Sequence, residues 1–334
     1  MKLVKTEIRK TIPNNSLSLT DLARKRNKIL VYRKYGGLGD IINTRMIFKQ
    51  IKDLNPDFNI TYAVPTMYHQ VLDDHPYIDQ LIDSKNINLS NYGYLVDISQ
   101  DCGRYESATL PEVDKQRGDI WAEISLGITL DSHECHFKLN ENNLNEAKKI
   151  IENYNHSPKI VIFPKTASPV KDLPLETLNS LLSIMNSNGY FCCIIHSDKS
   201  INYDNQIDNP YFHNLTMKQL IHVTSLFDYA ISCDTGGFHL TYALPNQIPT
   251  LGIFGWTDGF VIGKYHNKFI NIQKHRNNQS LCKIECSPCW NWAMCPYYKG
   301  VEKYKTKIPV PCIGEITAEE IYSNFLELIK RYPI

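Results

Sequence analysis

Three short stretches of this sequence combine residue types that could hold an anion and move a proton. The first is Ile231-Ser232-Cys233-Asp234-Thr235-Gly236-Gly237-Phe238-His239-Leu240. It lies between an apolar run, 227–232, that reads as a buried strand and a segment, 238–244, that reads as a helix. Two glycines at such a junction let the backbone turn with φ > 0 and leave N–H groups uncovered at a helix start. Those donors, with the positive end of the helix dipole, form an anion site worth on the order of 1 kcal/mol per charge where partly buried. Thr235 adds a hydroxyl, and His239 a ring donor one turn into the helix. Taken alone, the same residues also fit an ordinary strand-to-helix turn with a capping Asp.

The second stretch is Gly36-Gly37-Leu38-Gly39-Asp40, after an apolar strand at 28–33. It lacks the third glycine of a dinucleotide fingerprint and the Gly-Lys-Ser/Thr of a P-loop. Asp40 at a helix start fits a cap. It also fits a base that takes a proton from a hydroxyl, with the glycines, Gly37 and Gly39 among them, letting substrate groups approach. General-base help of that kind is worth roughly 10²–10⁴ in rate. The third stretch is Phe163-Pro164-Lys165-Thr166-Ala167-Ser168-Pro169-Val170-Lys171-Asp172-Leu173-Pro174. Lys171 sits in a loop just before a helix, where its ammonium could neutralise a leaving diphosphate.

The elements that must carry these residues alternate. In the first half the pattern reads strand 28–33, helix 41–54, strand 59–64, helix 66–73, strands near 78–82 and 94–98, and helices around 119–126 and 144–154. After Asn155-His156-Ser157-Pro158 it restarts with strand 159–163, helix 174–188, strand 190–195, helix 217–227, the opening strand–turn–helix and strand 249–254. Such alternation predicts parallel sheets with helices on both faces. Two doubly wound α/β halves facing a central cleft follow, with ligands at the carboxyl ends of the strands, where both glycine turns fall. The expected divisions are a basic arm 1–27, a first Rossmann-like domain 28–157, a second 158–316 with a Cys-rich segment 282–312, and a C-terminal helix 317–334. That helix has Thr317 as cap and Ile321, Phe325, Leu328 and Ile329 on one face.

The chain has 334 residues and a net charge of +1. Residues 1–28 carry eight Lys/Arg against Glu7 and Asp21, so the remainder is net acidic. An acidic body argues against a nucleic-acid enzyme. The arm fits a solvated extension or weak attraction to an anionic membrane face. No apolar run approaches the ~18 residues of a membrane span, and the N-terminus lacks the apolar core of a signal peptide. A cytoplasmic protein is expected, with contact at the inner face of the membrane as its variant.

The set Gly-Gly-Leu-Gly-Asp after strand one, Lys-Asp-Leu-Pro before a helix, and Asp-Thr-Gly-Gly-Phe-His followed by Ala243-Leu244 and Leu251-Gly252-Ile253-Phe254-Gly255 resembles glycosyltransferase family 9. This family includes heptosyltransferases of lipopolysaccharide core assembly and protein-modifying relatives. The resemblance runs from about Ile29 to Ile321, and Pro56 and Pro76-Tyr77-Ile78-Asp79 sit where that family has similar residues. It implies a GT-B fold with an acceptor domain first and a nucleotide-sugar domain second. It implies Asp40 as catalytic base, and Lys171 and Thr166 as phosphate contacts. Asp234, Thr235, Gly236, Gly237 and His239 match the family's donor loop. The resemblance further implies inversion at the anomeric centre without a catalytic metal, and ADP-heptose as the usual donor. One departure concerns the acidic residue that grips the ribose in the family, for which only Asp198 stands after the strand at 190–195. The reading requires Asp40 and His239 to face one crevice. Alternatives are a relative using a UDP- or GDP-linked sugar, including an epimerase, a transferase acting on a protein, and a non-catalytic scaffold of the same fold.

Ten cysteines are many for a cytoplasmic chain. Cys102, Cys135, Cys192, Cys193 and Cys233 read as small hydrophobes or thiols. The other five crowd into 282–312. Cys286, Cys289, Cys295 and Cys312 fit a tetrahedral thiolate site for structural zinc or iron, with Cys282 spare. The resemblance adds that some protein-modifying heptosyltransferases hold iron in such a segment. A disulfide pair or simple thiols are the other readings, the first disfavoured in a reducing compartment. Trp290 and Trp292 fit packing or an acceptor-binding surface. A zinc-knuckle nucleic-acid binder has no support, because Lys and Arg do not gather around these cysteines.

Overall fold

The computed structural model describes residues 27–197, 209–274, 288–290 and 310–334. The basic arm up to residue 26, Asp198, Cys282, Cys286, Cys295 and Trp292 lie outside the described residues. The chain divides into two compact units, Met1–Ala108 with Lys115–Lys138 and Thr109–Asp114 with Leu139–Ile334.

In the first unit, β1 (Lys28–Tyr32), β2 (Asn59–Val64), β3 (Gln80–Asp83) and β4 (Tyr94–Asp97) form a parallel sheet in the order β3-β2-β1-β4. Ile29, Leu30 and Val31 are buried, as a strand covered on both faces requires. The helix Leu38–Leu54 follows β1 and turns Ile41, Ile42, Met46, Ile47, Phe48 and Ile51 into the core. It ends at Asn55, ahead of Pro56, which disfavours helical backbone in the residue before it. Buried Arg45, on the same helix, straps the 135–137 segment down: its Nε donates to the Cys135 carbonyl at 2.7 Å and its guanidinium lies 3.7 Å over the Phe137 ring. Asp74 accepts from it with both carboxylate oxygens. The helix expected around 119–126 forms as Arg117–Ile120 continued by a π-helical turn, Trp121–Leu126, closed by Gly127 at φ 67°. A further helix, Asp101–Thr109, is too short and polar to be read from the sequence, with Cys102 its buried residue.

The second unit has a six-stranded parallel sheet in the order β10-β9-β8-β5-β6-β7. These strands are β5 (Ile160–Phe163), β6 (Cys192–Ile195), β7 (Tyr211–Phe212), β8 (Tyr229–Cys233), β9 (Thr250–Phe254) and β10 (Phe269–Gln273). The helices Leu175–Ser187 and Ala318–Arg331 pack together over this sheet, with Leu178, Leu181, Leu182, Ile321, Phe325 and Leu328 in one core. Thr317 caps the latter helix by accepting the Glu320 N–H at 3.2 Å. The helix Glu141–Ile150 packs on Met217–Thr224 and so belongs to this unit, not to the first half as its sequence position suggests.

In each sheet the strand order changes direction at the first strand of the unit. β1 has β2 on one side and β4 on the other, and β5 has β6 on one side and β8 on the other. Ligands of open parallel sheets bind outside the carboxyl ends of the strands at such switch points. Asp40 follows β1, Lys171 follows β5 and Asp234 follows β8. Among the described residues no helix is long and apolar enough to cross a membrane.

Candidate active site

In the first unit the chain leaves β1 through Arg33 and turns at Gly36, whose φ is +148°. A Cβ there would stand 2.7 Å from the Arg33 guanidinium, so both the backbone angle and the space require glycine. Gly37 has φ −81° and caps the helix; a Cβ on it would meet nothing within 4 Å. Gly39 is buried in the first turn. Asp40 occupies the third helical position and accepts the Gly37 N–H with Oδ2 at 3.1 Å, the reciprocal bond of a capping box.

Capping does not exhaust the carboxylate. Arg33 Nη2 lies 3.0 Å from Oδ2, and Arg117 Nη1 pairs with Oδ1. Arg33 is itself buried: Nη1 donates to the Ile98 carbonyl at 3.2 Å and the group lies 4.7 Å over the Trp121 ring. Arg117 is shared, because its Nε and Nη2 donate to the two oxygens of Glu106 at 2.7 and 3.1 Å. Burial by itself raises the Asp40 carboxyl; the guanidiniums of Arg117 and then Arg33 more than reverse this and hold it well below the ordinary carboxylate range. Asp40 is therefore an ionised acceptor at neutral pH. Arg33, Glu106 and Arg117 escape sequence reasoning because they are spread over 85 residues with no motif around them.

In the second unit Asp234 is the organising group. Its Oδ2 accepts from Lys171 Nζ at 2.7 Å and from the Thr257 hydroxyl at 2.7 Å, and His239 Nε2 stands 3.8 Å from Oδ1. Burial pushes this carboxyl up as well, and Lys171 with His239 pulls it far below its usual range. Asp234 is thus not the helix cap. Thr235 is, with its hydroxyl accepting from the Gly237 N–H at 3.4 Å. Gly236 and Gly237 open the helix Gly236–Ala243 and do not turn with positive φ, contrary to the expectation from their type. The reason for glycine at 237 is closeness: a Cβ would stand 2.3 Å from Cγ of Phe163 on β5. His239 Nδ1 meets the Tyr242 hydroxyl at 3.1 Å, which fixes the ring beside Asp234.

Two loops complete this end of the sheet. Asp172 clasps the loop after β5, taking the Thr166 N–H at 2.7 Å and Lys165 Nζ at 3.1 Å, while the Thr166 hydroxyl donates to the Ser168 carbonyl at 2.6 Å. Thr257 is held by Gln273 of β10, whose Nε2 donates to the Thr257 and Gly255 carbonyls at 2.6 and 3.1 Å. Lys171 also lies 5.1 Å over the Trp256 ring. The strand Phe269–Gln273 was not expected, so neither Thr257 nor Gln273 stood out in the sequence. The cation, hydroxyls and helix start at the carboxyl ends of β5, β8 and β9 can together hold a diphosphate.

Of the cysteines, Cys102, Cys135, Cys192, Cys193 and Cys233 are buried thiols. Cys312 borders the loop after β9, where a Cβ on Gly255 would lie 3.0 Å from its Sγ, and Trp290, the residue after Cys289, donates its N–H to the Trp256 carbonyl at 2.8 Å. Among the described residues no group of three metal-ligating side chains occurs.

Two parallel α/β units, each carrying charged groups at its switch point, have the fold of GT-B glycosyltransferases. The sequence model of glycosyltransferase family 9 (heptosyltransferase) matches residues 104–290, more than half of the chain, and the chain belongs to that family. Among solved structures, a family 9 glycosyl transferase from Veillonella parvula DSM 2008 is similar at 15% identity and TM-score 0.65, over 92% of this chain and 98% of that one. E. coli ADP-heptose LPS heptosyltransferase II is similar at 13% identity and TM-score 0.63, over 91% and 99%. The dodecameric iron-containing heptosyltransferase TibC of enterotoxigenic E. coli, solved with ADP-D-beta-D-heptose, is similar at 14% identity and TM-score 0.62, over 92% and 77%. At these identities the likeness is one of fold. A search of curated proteins finds no match to the chain.

Proposed function

We propose that this glycosyltransferase moves a heptose from ADP-heptose to a hydroxyl of a glycan such as lipopolysaccharide core, with inversion and without a catalytic metal. The observation that carries the reading is the Lys171–Asp234–Thr257–His239 cluster at the start of the Gly236–Ala243 helix. It offers a cation and directed donors where a sugar diphosphate would bring negative charge. The anomeric carbon gains a bond to the acceptor oxygen as its bond to the diphosphate oxygen breaks. Asp40 takes the hydroxyl proton, and the electron pair leaves with the diphosphate. Lys171 and the helix N–H groups stabilise that developing charge, an effect worth roughly 10²–10³ in rate per donor. TibC, solved with ADP-D-beta-D-heptose, and E. coli heptosyltransferase WaaC, solved with ADP-2-deoxy-2-fluoro heptose, support this choice of donor.

A structural zinc or iron at Cys286, Cys289, Cys295 and Cys312 is part of the proposal. Of the two ligands within the described residues, Cys312 Sγ lies beside Gly255, and Cys289 precedes Trp290, whose N–H donates to the Trp256 carbonyl. Such a metal would tie the Cys-rich segment 282–312 together beside the loop carrying Trp256 and Thr257. The reading also places the protein in the cytoplasm, its basic arm near the anionic membrane face.

The test is a panel of ADP-heptose, UDP-sugars and GDP-sugars, read by thermal shift and by mass spectrometry of acceptor glycans and proteins. ADP-heptose alone should stabilise, by about 2.7 kcal/mol at a hundredfold excess over Kd. Stabilisation by a UDP- or GDP-sugar instead would reassign the donor, and no nucleotide binding at all would indicate a scaffold.

A further inference from the structure

The carboxylate assigned as base is held by two guanidiniums, one locked by neutral groups and the other shared with a second carboxylate. Arg33 is buried beneath Gly36 and locked by the Ile98 carbonyl and the Trp121 ring. Arg117 is less enclosed, with 29% of its side chain exposed, and stands between two carboxylates. Its fork is bidentate to Glu106, leaving Nη1 for Asp40. Resting on the assignment of Asp40 as the base, we propose that Arg117 is the positioning residue that aims the Asp40 carboxylate, and that Glu106 sets how firmly it does so.

A carboxylate pinned at both oxygens by cations is well ordered but a weak base. For Oδ1 to receive a proton, Arg117 must yield part of its hold. Glu106 makes that affordable, because the arginine keeps a full bidentate partner when it loosens from Asp40. The other groups facing Asp40 cannot take this part. Tyr62 is buried with its hydroxyl donating to Thr44, and burial raises it to about 12. Tyr68 donates to the Gly36 carbonyl at 2.8 Å and is raised by burial. Cys102 points at the Arg117 carbonyl, and burial keeps its thiol protonated.

The test uses the full chain labelled with ¹³C at the aspartate carboxyl carbon, the Asp40 signal being assigned by its loss in D40N. In the wild type that signal should stay ionised down to the lowest pH at which the chain remains folded. Arg117→Gln should bring its midpoint into the measured range, while Arg117→Lys, which keeps the charge, should not. With ADP-heptose as donor, both variants should lower kcat about tenfold or more and leave the donor KM within about twofold. Glu106→Gln should also lower kcat, with Asp40 still ionised, because Arg117 is then given wholly to Asp40. An unmoved Asp40 titration in folded R117Q would overturn the proposal. Should R117Q fail to fold, wild-type kcat in E106Q would overturn it equally. Full turnover by D40N would instead remove the base assignment, an outcome the titration distinguishes from failure of the pairing.

Discussion

Lys171 and Asp234 meet at 2.7 Å across 63 residues of sequence, joining the loop after β5 to the carboxyl end of β8. The pair is mostly shielded from water, with side-chain exposures of 20% and 6%. Thr257 donates to the same oxygen of Asp234 as Lys171 does, so the lysine is one of two groups satisfying it. A cation held this way is aimed before any ligand arrives, and a diphosphate would share it with Asp234.

Removing the ammonium therefore acts twice. Lys171→Ala should weaken ADP-heptose binding about 10- to 100-fold by isothermal calorimetry, ~1.4–2.8 kcal/mol. It should also lower unfolding stability by about 1–3 kcal/mol, since a buried carboxylate loses its charged partner. Donor affinity equal to wild type would take Lys171 out of the phosphate site.

Gly237 is required by its distance from Phe163. Gly237→Ala should cost about 1–3 kcal/mol in a urea melt through overpacking and should displace the helix start that carries His239. Phe163→Ala, which removes the Cγ and Cδ atoms that a Cβ at 237 would strike, should make the two losses clearly less than additive in a double-mutant cycle. Strict additivity would mean that the clash is not the reason for glycine there.

Stability should fall on mild acidification through two buried histidines. His266 accepts the Lys268 N–H on Nδ1 and faces the Thr241 hydroxyl with Nε2, and burial lowers it to about 3. His75 accepts the Tyr77 N–H on Nδ1 and stands 2.9 Å from the Arg45 carbonyl; burial, then Arg45, lowers it to about 2. Each is neutral when folded and binds a proton more readily when unfolded. Their contribution is complete above about pH 6.5 and declines as pH falls toward the folded values, by up to ~1.4 kcal/mol per pH unit for each histidine. Asp40 and Asp234 add a second decline only below about pH 4, where the unfolded carboxylates protonate. Urea midpoints between pH 7 and 5 should fall, and His266→Gln should flatten the slope. A pH-independent midpoint over that range would contradict the neutral assignments.

The cysteine cluster makes a claim about metal content. Purified protein should carry about one zinc or iron per chain by elemental analysis, and Cys289→Ser with Cys312→Ser should abolish it. Metal-free wild type with full thermal stability would leave these cysteines as ordinary thiols.

Much of the fold was legible because its signals are local. The apolar runs of β1, β2, β5, β8 and β9 are bounded by turn residues, and the helix Leu38–Leu54 is rich in apolar residues and stops at Asn55-Pro56. The helix Asp101–Thr109 is short and polar with one buried residue, Cys102, and so carries too few apolar residues to be read. The last strand, Phe269–Gln273, mixes polar with apolar residues at the edge of its sheet. The site divides the same way. Asp40, Lys171, Asp234 and His239 stand in compact motifs, whereas their partners Arg33, Glu106, Arg117, Thr257 and Gln273 are set by tertiary packing alone. The glycines mislead in an instructive manner: Gly36 carries the positive φ, while Gly237 is fixed by the ring of Phe163.

The central claim is that Asp40 receives the acceptor proton while the second unit holds the donor. Single-turnover transfer from ADP-heptose by Asp40→Asn measures it most directly, with donor binding followed in the same samples. The account predicts a rate lower by about 10²–10⁴ and a donor Kd within about twofold of wild type. Transfer at the wild-type rate, or loss of donor binding in step with loss of rate, would contradict it.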